Sequence, residues 1–539
     1  MPRKDAPKAV LDRRDFLATS LAVGAVALTA QAPIVAAEPA SVPFSVEEAT
    51  LDDLQAGLES GRWTSKDLVA KYLARIRAVD ENGPALHSVI EVNPDALALA
   101  EGLDEERRKT GSRGPLHGIP ILIKDNLDTA DRMKTTAGSL ALLDAPTPSR
   151  DAFVVQKLRE AGAIILGKTN LSEWANMRST RSTSGWSGRG RQTRNPYALD
   201  RNPSGSSSGS AVAVSANLCA AAIGTETDGS IVSPASVNGI VGLKPTLGLV
   251  SRSGIIPISH SQDTAGPMAR TVRDAALLLT AIAGPDPSDR ATEEATRQRS
   301  LDYAHGLDTK GLQGARLGVL TNLLGVHAHV DRVIHPALEV LRSAGATLVD
   351  VELKSSSFEE AEFEVLIYDF KADLNAYLAG RGGAIKDLAS LIAFNEKHRD
   401  QEMPFFDQET LVRTQAKGPR TEDNYLKALV TCRQARRDIE ALCDKHKLDA
   451  LVAPTGSPAW MTDPINGDAF GFSCSSFAAV AGTPHITVPA GLAFGLPVGL
   501  SFFGRPWSEI RLLQLAYAFE QRSKARKAPK YLKTASLGA

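Results

Sequence analysis

Two serine clusters joined by a run of small residues constrain this chain more than any other feature: Gly205-Ser206-Ser207-Ser208-Gly209-Ser210, then Thr225-Glu226-Thr227-Asp228-Gly229-Ser230. Between them Ala211 to Cys219 is mostly small and apolar, which suits a tightly packed helix of roughly 14 Å at about 1.5 Å per residue. Ala220 to Gly224 can return as a strand of about 16 Å at roughly 3.3 Å per residue. The out-and-back path brings Ser230 near Ser206. Upstream, Gly118-Ile119-Pro120-Ile121-Leu122-Ile123-Lys124-Asp125 reads as a buried strand, because it is mostly aliphatic and ends abruptly in charge. Lys124 therefore stands where apolar walls meet an opening.

With Gly242-Leu243-Lys244-Pro245-Thr246 following in the same order, these segments resemble the amidase signature family. Its members hydrolyse carbon-nitrogen amide bonds with a serine, a second serine on a cis peptide bond, and a lysine. The resemblance implies Lys124 as base, Ser206 as bridging serine and Ser230 as nucleophile. It runs from about residue 45 to about residue 530, with the signature core at about 110–270. Three further stretches, Lys168 to Asn176, Gln192 to Tyr197 and Gln262 to Met268, resemble the branch that removes the C-terminal amide of peptides. The implied reaction is peptide amide plus water giving free acid and ammonia, through an acyl-Ser230 intermediate. The alternatives are a broad-specificity acylamidase acting on aryl or aliphatic amides, and an amidotransferase A-type subunit that serves tRNA charging. The implied fold is α/β, one large domain over 38–539 with a mixed twisted sheet covered by helices on both faces. No metal and no organic cofactor are implied, and a monomer acting on a small-molecule or peptide amide is expected.

Amide hydrolysis needs a nucleophile, a proton for the departing nitrogen, and donors for the oxyanion. A lysine can act as base only when neutral, so its pKa must fall from about 10.4 to about 7 or 8. Burial supplies a shift of that size. Asp125, on the other face of a continuing strand, need not pair with Lys124. A hydroxyl at Ser206 can accept from one side and donate to the other, relaying a proton between Ser230 and Lys124. The turn Thr227-Asp228-Gly229-Ser230 aims successive backbone N–H groups at one point, as an oxyanion hole requires. Asn170 and Trp174 are expected at the pocket wall.

The bland readings are specific too. Ser206, Ser207 or Ser210 could cap the following helix, and Ser230 could be an N-cap. Gly205-Ser206-Ser207-Ser208-Gly209 formally matches a nucleophile elbow, but that motif needs a buried strand before it, and Asn195 to Pro203 carries two prolines. His260 and His485 lack a distinguishing motif as partners. His327-Ala328-His329 lacks nearby ligands for a metal and reads as the cap or decoration of a turn. Val232, Asp228 and Ser501 depart from the broader family, with Ser501 expected to affect the pocket.

The first forty residues differ from the rest. Arg13-Arg14, an apolar stretch from Phe16 to Ala30, and Val35-Ala36-Ala37 read as a twin-arginine export signal over 1–37, against an uncleaved membrane anchor as the alternative. A periplasmic or secreted bacterial protein that meets the Tat export machinery before cleavage is expected. A net charge of −1 offers no global attraction to nucleic acid. Widely spaced Cys219, Cys432, Cys443 and Cys474 argue against a disulfide framework, with Cys432–Cys443 as the one bridge to test.

Helices are expected at 46–60, 65–79, 93–109, 151–161, 358–379, 384–397, 423–446 and 508–522. Strands are expected at 163–166, 314–320, 347–353, 448–453, 486–489 and 498–502. Residues 178–210 have linker-like composition, yet Trp186, Pro196, Tyr197 and Pro203 favour a packed irregular loop lining a site. The polar stretch 285–312 crosses to a second block.

Overall fold

Aliphatic runs without polar alternation form strands buried on both faces. Pro120–Lys124, Ile164–Thr169 and Ala221–Glu226 are buried at every position and pair in parallel. A computed structural model describes residues 44–300, 302–355 and 358–537. The expected export signal over 1–37 lies outside the described residues.

The three strands belong to an eleven-stranded mixed sheet. From one edge the order is Val89–Val92, Ile164–Thr169, Pro120–Lys124, Ala221–Glu226, Thr264–Ala269 and Val241–Lys244. It continues through His485–Ala493, Leu496–Phe503, Ala450–Pro454, Arg316–Leu320 and Thr347–Val351. The polar stretch at 285–312 therefore joins two parts of one sheet, and Val46–Ala539 forms a single α/β unit. Among the described residues no helix is long and apolar enough to cross a membrane.

Local chemistry sets the boundaries. The helix expected from Val46 starts at Leu51, because the Thr50 hydroxyl accepts from the Asp53 N–H while the Asp53 carboxylate accepts from the Thr50 N–H. Thr64 and Asp67 repeat the device before Ser65–Arg75. The small-residue helix occupies Ser208–Ser215, earlier than the expected 211–219, and Asn217 in the left-handed region (φ 59°) turns the chain after it. All its residues are buried, which lets it lie directly on the Pro120–Lys124 and Ala221–Glu226 strands. Asp423–His446 is helical as expected, while the expected 358–379 and 384–397 become Glu359–Arg381 and Leu388–Lys397.

The four cysteines are buried and free. Cys432 and Cys443 share one continuous helix, where eleven residues separate them by roughly 16 Å, well beyond disulfide reach. The 178–210 stretch is packed rather than linker-like. Arg178 is buried between the rings of Trp186 and Phe406, at 4.8 and 4.1 Å, and pairs with Glu173 at 2.5 Å. His327 is the N-cap of Ala328–Ser343, its ring accepting from the Val330 N–H.

Candidate active site

The sheet register delivers the lysine. Ile123 is level with Ile223 on the neighbouring parallel strand, so the next side chain meets Thr225. Lys124 Nζ lies 2.8 Å from Thr225 Oγ1, 3.3 Å from the Thr225 carbonyl oxygen and 2.8 Å from Ser206 Oγ. Its side chain is fully buried. Desolvation pushes its pKa down to about 7, and the negative charges of Asp263 and Glu226 only partly oppose that. Asp125 points elsewhere, accepting from the Thr136 hydroxyl and facing Arg189. Among the described residues no carboxylate therefore pairs with Lys124 to hold it charged.

Ser206 follows a cis peptide bond from Gly205. Its carbonyl accepts from the Ser172 N–H at 3.1 Å, and the next N–H, on Ser207, donates to the Ser230 carbonyl at 3.1 Å. The Ser207 hydroxyl donates to the Thr225 carbonyl at 3.0 Å and accepts from the Thr225 N–H at 3.2 Å. The two serine clusters are thus stitched together through Ser207 and Thr225. The capping alternatives fail here. Ser207 occupies the N-cap position without a side-chain cap, and Ile231, not Ser230, precedes the Val232–Val237 helix.

Ser230 ends a turn shaped by Gly229, whose φ of 73° lies in the left-handed region. A Cβ there would press on Ser475 Oγ and Ser233 Oγ. The Glu226 carboxylate takes the N–H groups of Ile231 and Val232 at 2.7 and 3.0 Å. Thr227 is tied to Asp263 at 2.5 Å, and Asp228 accepts from the Ser476 hydroxyl at 2.5 Å. Among the described residues, the N–H groups of Asp228, Gly229 and Ser230 donate to no protein acceptor. That leaves a cluster of backbone donors free for an oxygen anion.

A cavity of about 550 Å³ opens beside Thr225, Thr227 and Asn126. Its lining is apolar at Ile255 to Ile258 and polar at His260, Asp373 and Tyr377. Trp174 lines a narrow cleft that shares Asn126, Ala175 and Ile256 to Ile258 with this cavity. Asn170 does not reach it. Its amide nitrogen donates to the carbonyls of Gly185 and Arg191 and to Thr193 Oγ1, while its oxygen accepts from Ser187, so it pins the 185–193 loop. Ser501 lies inside the sheet, 2.6 Å from His485 Nε2, rather than in the pocket. His485 is held neutral by burial.

Thr225 and Asn126 carry no motif of their own in the sequence. Asn126 Nδ2 donates to Thr225 Oγ1 at 3.0 Å, so the pair continues the polar chain beyond Lys124. The available signal was positional, since Thr225 opens the second serine cluster and Asn126 follows Lys124 by two residues.

Known proteins resemble this chain over most of its length. The family model Amidase matches residues 67–513. The X-ray structure of native peptide amidase from Stenotrophomonas maltophilia superposes with a TM-score of 0.87 at 53% identity, covering 91% of this chain and 100% of that one. A protein of Arabidopsis thaliana named as a probable amidase is 43% identical, over 91% of this chain and 93% of its own length. The A-type subunit of a glutamyl-tRNA(Gln) amidotransferase from Desulforapulum autotrophicum is 34% identical, over 89% of this chain and 98% of its own.

Proposed function

The chain belongs to the amidase family and is an amide-hydrolysing enzyme, and from that premise we propose that it cleaves the C-terminal amide of peptides through an acyl-Ser230 intermediate. The observation that carries the mechanism is the 2.8 Å contact between Ser206 Oγ and a fully buried Lys124 whose pKa is pushed down to about 7. The identity with a peptide amidase over nearly the whole chain supports the substrate class.

In the proposed reaction Ser230 Oγ attacks the amide carbon as its proton moves to Ser206 Oγ, and the Ser206 proton moves to Lys124 Nζ. The carbonyl oxygen becomes an anion that accepts hydrogen bonds from the free N–H groups of Asp228, Gly229 and Ser230. Collapse breaks the C–N bond. The proton stored on Lys124 returns through Ser206 to the departing nitrogen, which leaves as ammonia. Water then repeats the sequence at the acyl-Ser230 ester, releasing the free acid and restoring Ser230. Thr225 and Asn126 hold Lys124 against Ser206 throughout.

A panel of C-terminally amidated peptides, aliphatic and aryl amides, and free glutamine tests the reading, with ammonia release as the signal. Peptide amides are expected to react fastest, and Ser230→Ala to lose that activity. Turnover confined to aryl or aliphatic amides would end the peptide assignment, and undiminished turnover in Ser230→Ala would end the nucleophile assignment. Glutamine turnover that requires a co-purified partner protein would favour the amidotransferase reading.

A further inference from the structure

The Gln262-Asp263 pair sits directly behind the turn that carries Ser230. Asp263 binds the Thr227 hydroxyl at 2.5 Å and the N–H groups of Ile258 and Ser259 at 2.8 and 2.9 Å. Gln262 Nε2 donates to the Thr227 carbonyl at 3.3 Å and to Glu362 Oε1 at 2.8 Å. Glu362 arrives from the Glu359–Arg381 helix, 100 residues away in sequence, with only 7% exposure. Its carboxyl group is also within hydrogen-bonding reach of Asp228. One oxygen of Asp228, Oδ1, is buried without a conventional donor, while Oδ2 accepts from Ser476.

We propose that Glu362 is a positioning residue for the oxyanion turn, donating a hydrogen bond from its carboxylic acid to Asp228 while accepting one from Gln262, so that Thr227 to Ser230 are held with their N–H groups converging. The inference rests on the reading of Ser230 as nucleophile and of its turn as the oxyanion site.

Two carboxyl groups in contact share one proton, and the surroundings decide which keeps it. Burial raises the Asp228 pKa, but the Ser475 and Ser476 hydroxyls and the Lys244 ammonium all favour its anion. The groups that act most strongly on Glu362 are negative or neutral: Asp228, the amide of Gln262 and Glu359 one turn back on its own helix, with the Cys432 thiol on the Asp423–His446 helix also near. Burial and the Asp228 charge therefore keep Glu362 protonated well above the usual carboxylate range. As pH rises through that point, the donor is lost and two anions face each other. The turn then loses the brace that reaches it through Asp228.

The test measures kcat and KM against pH for wild type, Glu362→Gln, Glu362→Ala and Ser230→Ala on one peptide amide. Glutamine is the permanent form of the protonated acid, since it donates through Nε2 and accepts through Oε1. Glu362→Gln is expected to stay within about threefold of wild-type kcat at neutral pH and to lose the wild type's alkaline decline. Glu362→Ala is expected to lower kcat at least about tenfold with KM nearly unchanged, the pattern of an interaction made in the transition state. Circular dichroism melts identify a variant that fails to fold, and Glu362→Gln then carries the test alone. Equal kcat in folded wild type, Glu362→Gln and Glu362→Ala, identical alkaline limbs in wild type and Glu362→Gln, or a change in KM alone would overturn the proposal. Activity surviving in Ser230→Ala would overturn instead the reading on which it rests.

Discussion

Lys124 Nζ sits 2.8 Å from Ser206 Oγ across 82 residues of chain, with its side chain fully buried. Neither residue touches the other through local structure. One ends a central strand, the other precedes a helix packed on that strand, and Thr225 on the neighbouring strand binds both neighbourhoods.

The base must be neutral to accept a proton. With the Lys124 pKa pushed down to about 7, kcat/KM is expected to be low in acid and to rise through an apparent pKa near 7. A pH–rate profile of the purified enzyme checks this, and a rise delayed to the ordinary lysine range would contradict it. Lys124→Arg should be inactive at every pH, since guanidinium does not deprotonate.

Removing the buried amine should stabilise the fold. Lys124 titrates at about 7 in the folded protein against 10.5 ordinarily, so the unfolded chain binds more protons between those values and wild-type stability rises with pH across that window. The penalty is complete below pH 7 and gone above 10.5. Lys124→Met escapes it, by up to about 5 kcal/mol in acid before the loss of its polar contacts is deducted. Thermal melts should show a higher Tm than wild type at about pH 6, with the gap closing by about pH 10. Activity should drop about 10²- to 10⁴-fold.

Thr225→Val keeps the shape and deletes the hydroxyl that meets both Lys124 Nζ and Asn126 Nδ2. Losing a hydrogen bond to an ionisable partner costs about 1.5–3 kcal/mol, so kcat should fall about 10- to 100-fold. Thr225→Ser should recover most of it. Steady-state kinetics distinguish the two, and equal rates in both variants would show the hydroxyl to be idle.

Gly229→Ala places a Cβ in the left-handed region and against Ser475 and Ser233. The backbone term alone is about 1–2 kcal/mol. The variant should melt lower and lose more than about tenfold in kcat, because the turn must move to relieve the clash. A variant with native Tm and native kcat would show that the turn tolerates other conformations.

Arg178→Ala should be among the most damaging changes outside the site. The guanidinium lies between two aromatic rings and pairs with buried Glu173, so its removal strands a carboxylate at a cost of about 3–5 kcal/mol. Burial and neighbouring Glu402 already push Glu173 upward, and a stranded Glu173 can take up a proton. Urea unfolding should therefore show a smaller loss at about pH 5 than at about pH 8. A pH-independent loss would point to packing alone.

Much of the fold was legible because aliphatic runs and capping residues act locally. The Asp423–His446 helix has its expected bounds, and the strands at Arg316–Leu320, Thr347–Val351 and Ala450–Pro454 fall inside or within a residue of theirs. Val89–Val92 was invisible, being a four-residue edge strand with no alternation. Val241–Lys244 and Thr264–Ala269 were noticed only as motifs, since glycine and proline hide their strand character.

By itself the sequence determined which groups could do chemistry: a lysine at the end of an apolar strand, and two serine clusters a hairpin's length apart. Only the tertiary structure decided what those groups face. Register between parallel strands set Thr225 against Lys124, the loop from 185 to 193 drew Asn170 away from the cavity, and the Glu359–Arg381 helix brought Glu362 behind the turn. Such pairings join residues far apart in the chain. They depend on how whole elements pack, which no local run of residues encodes.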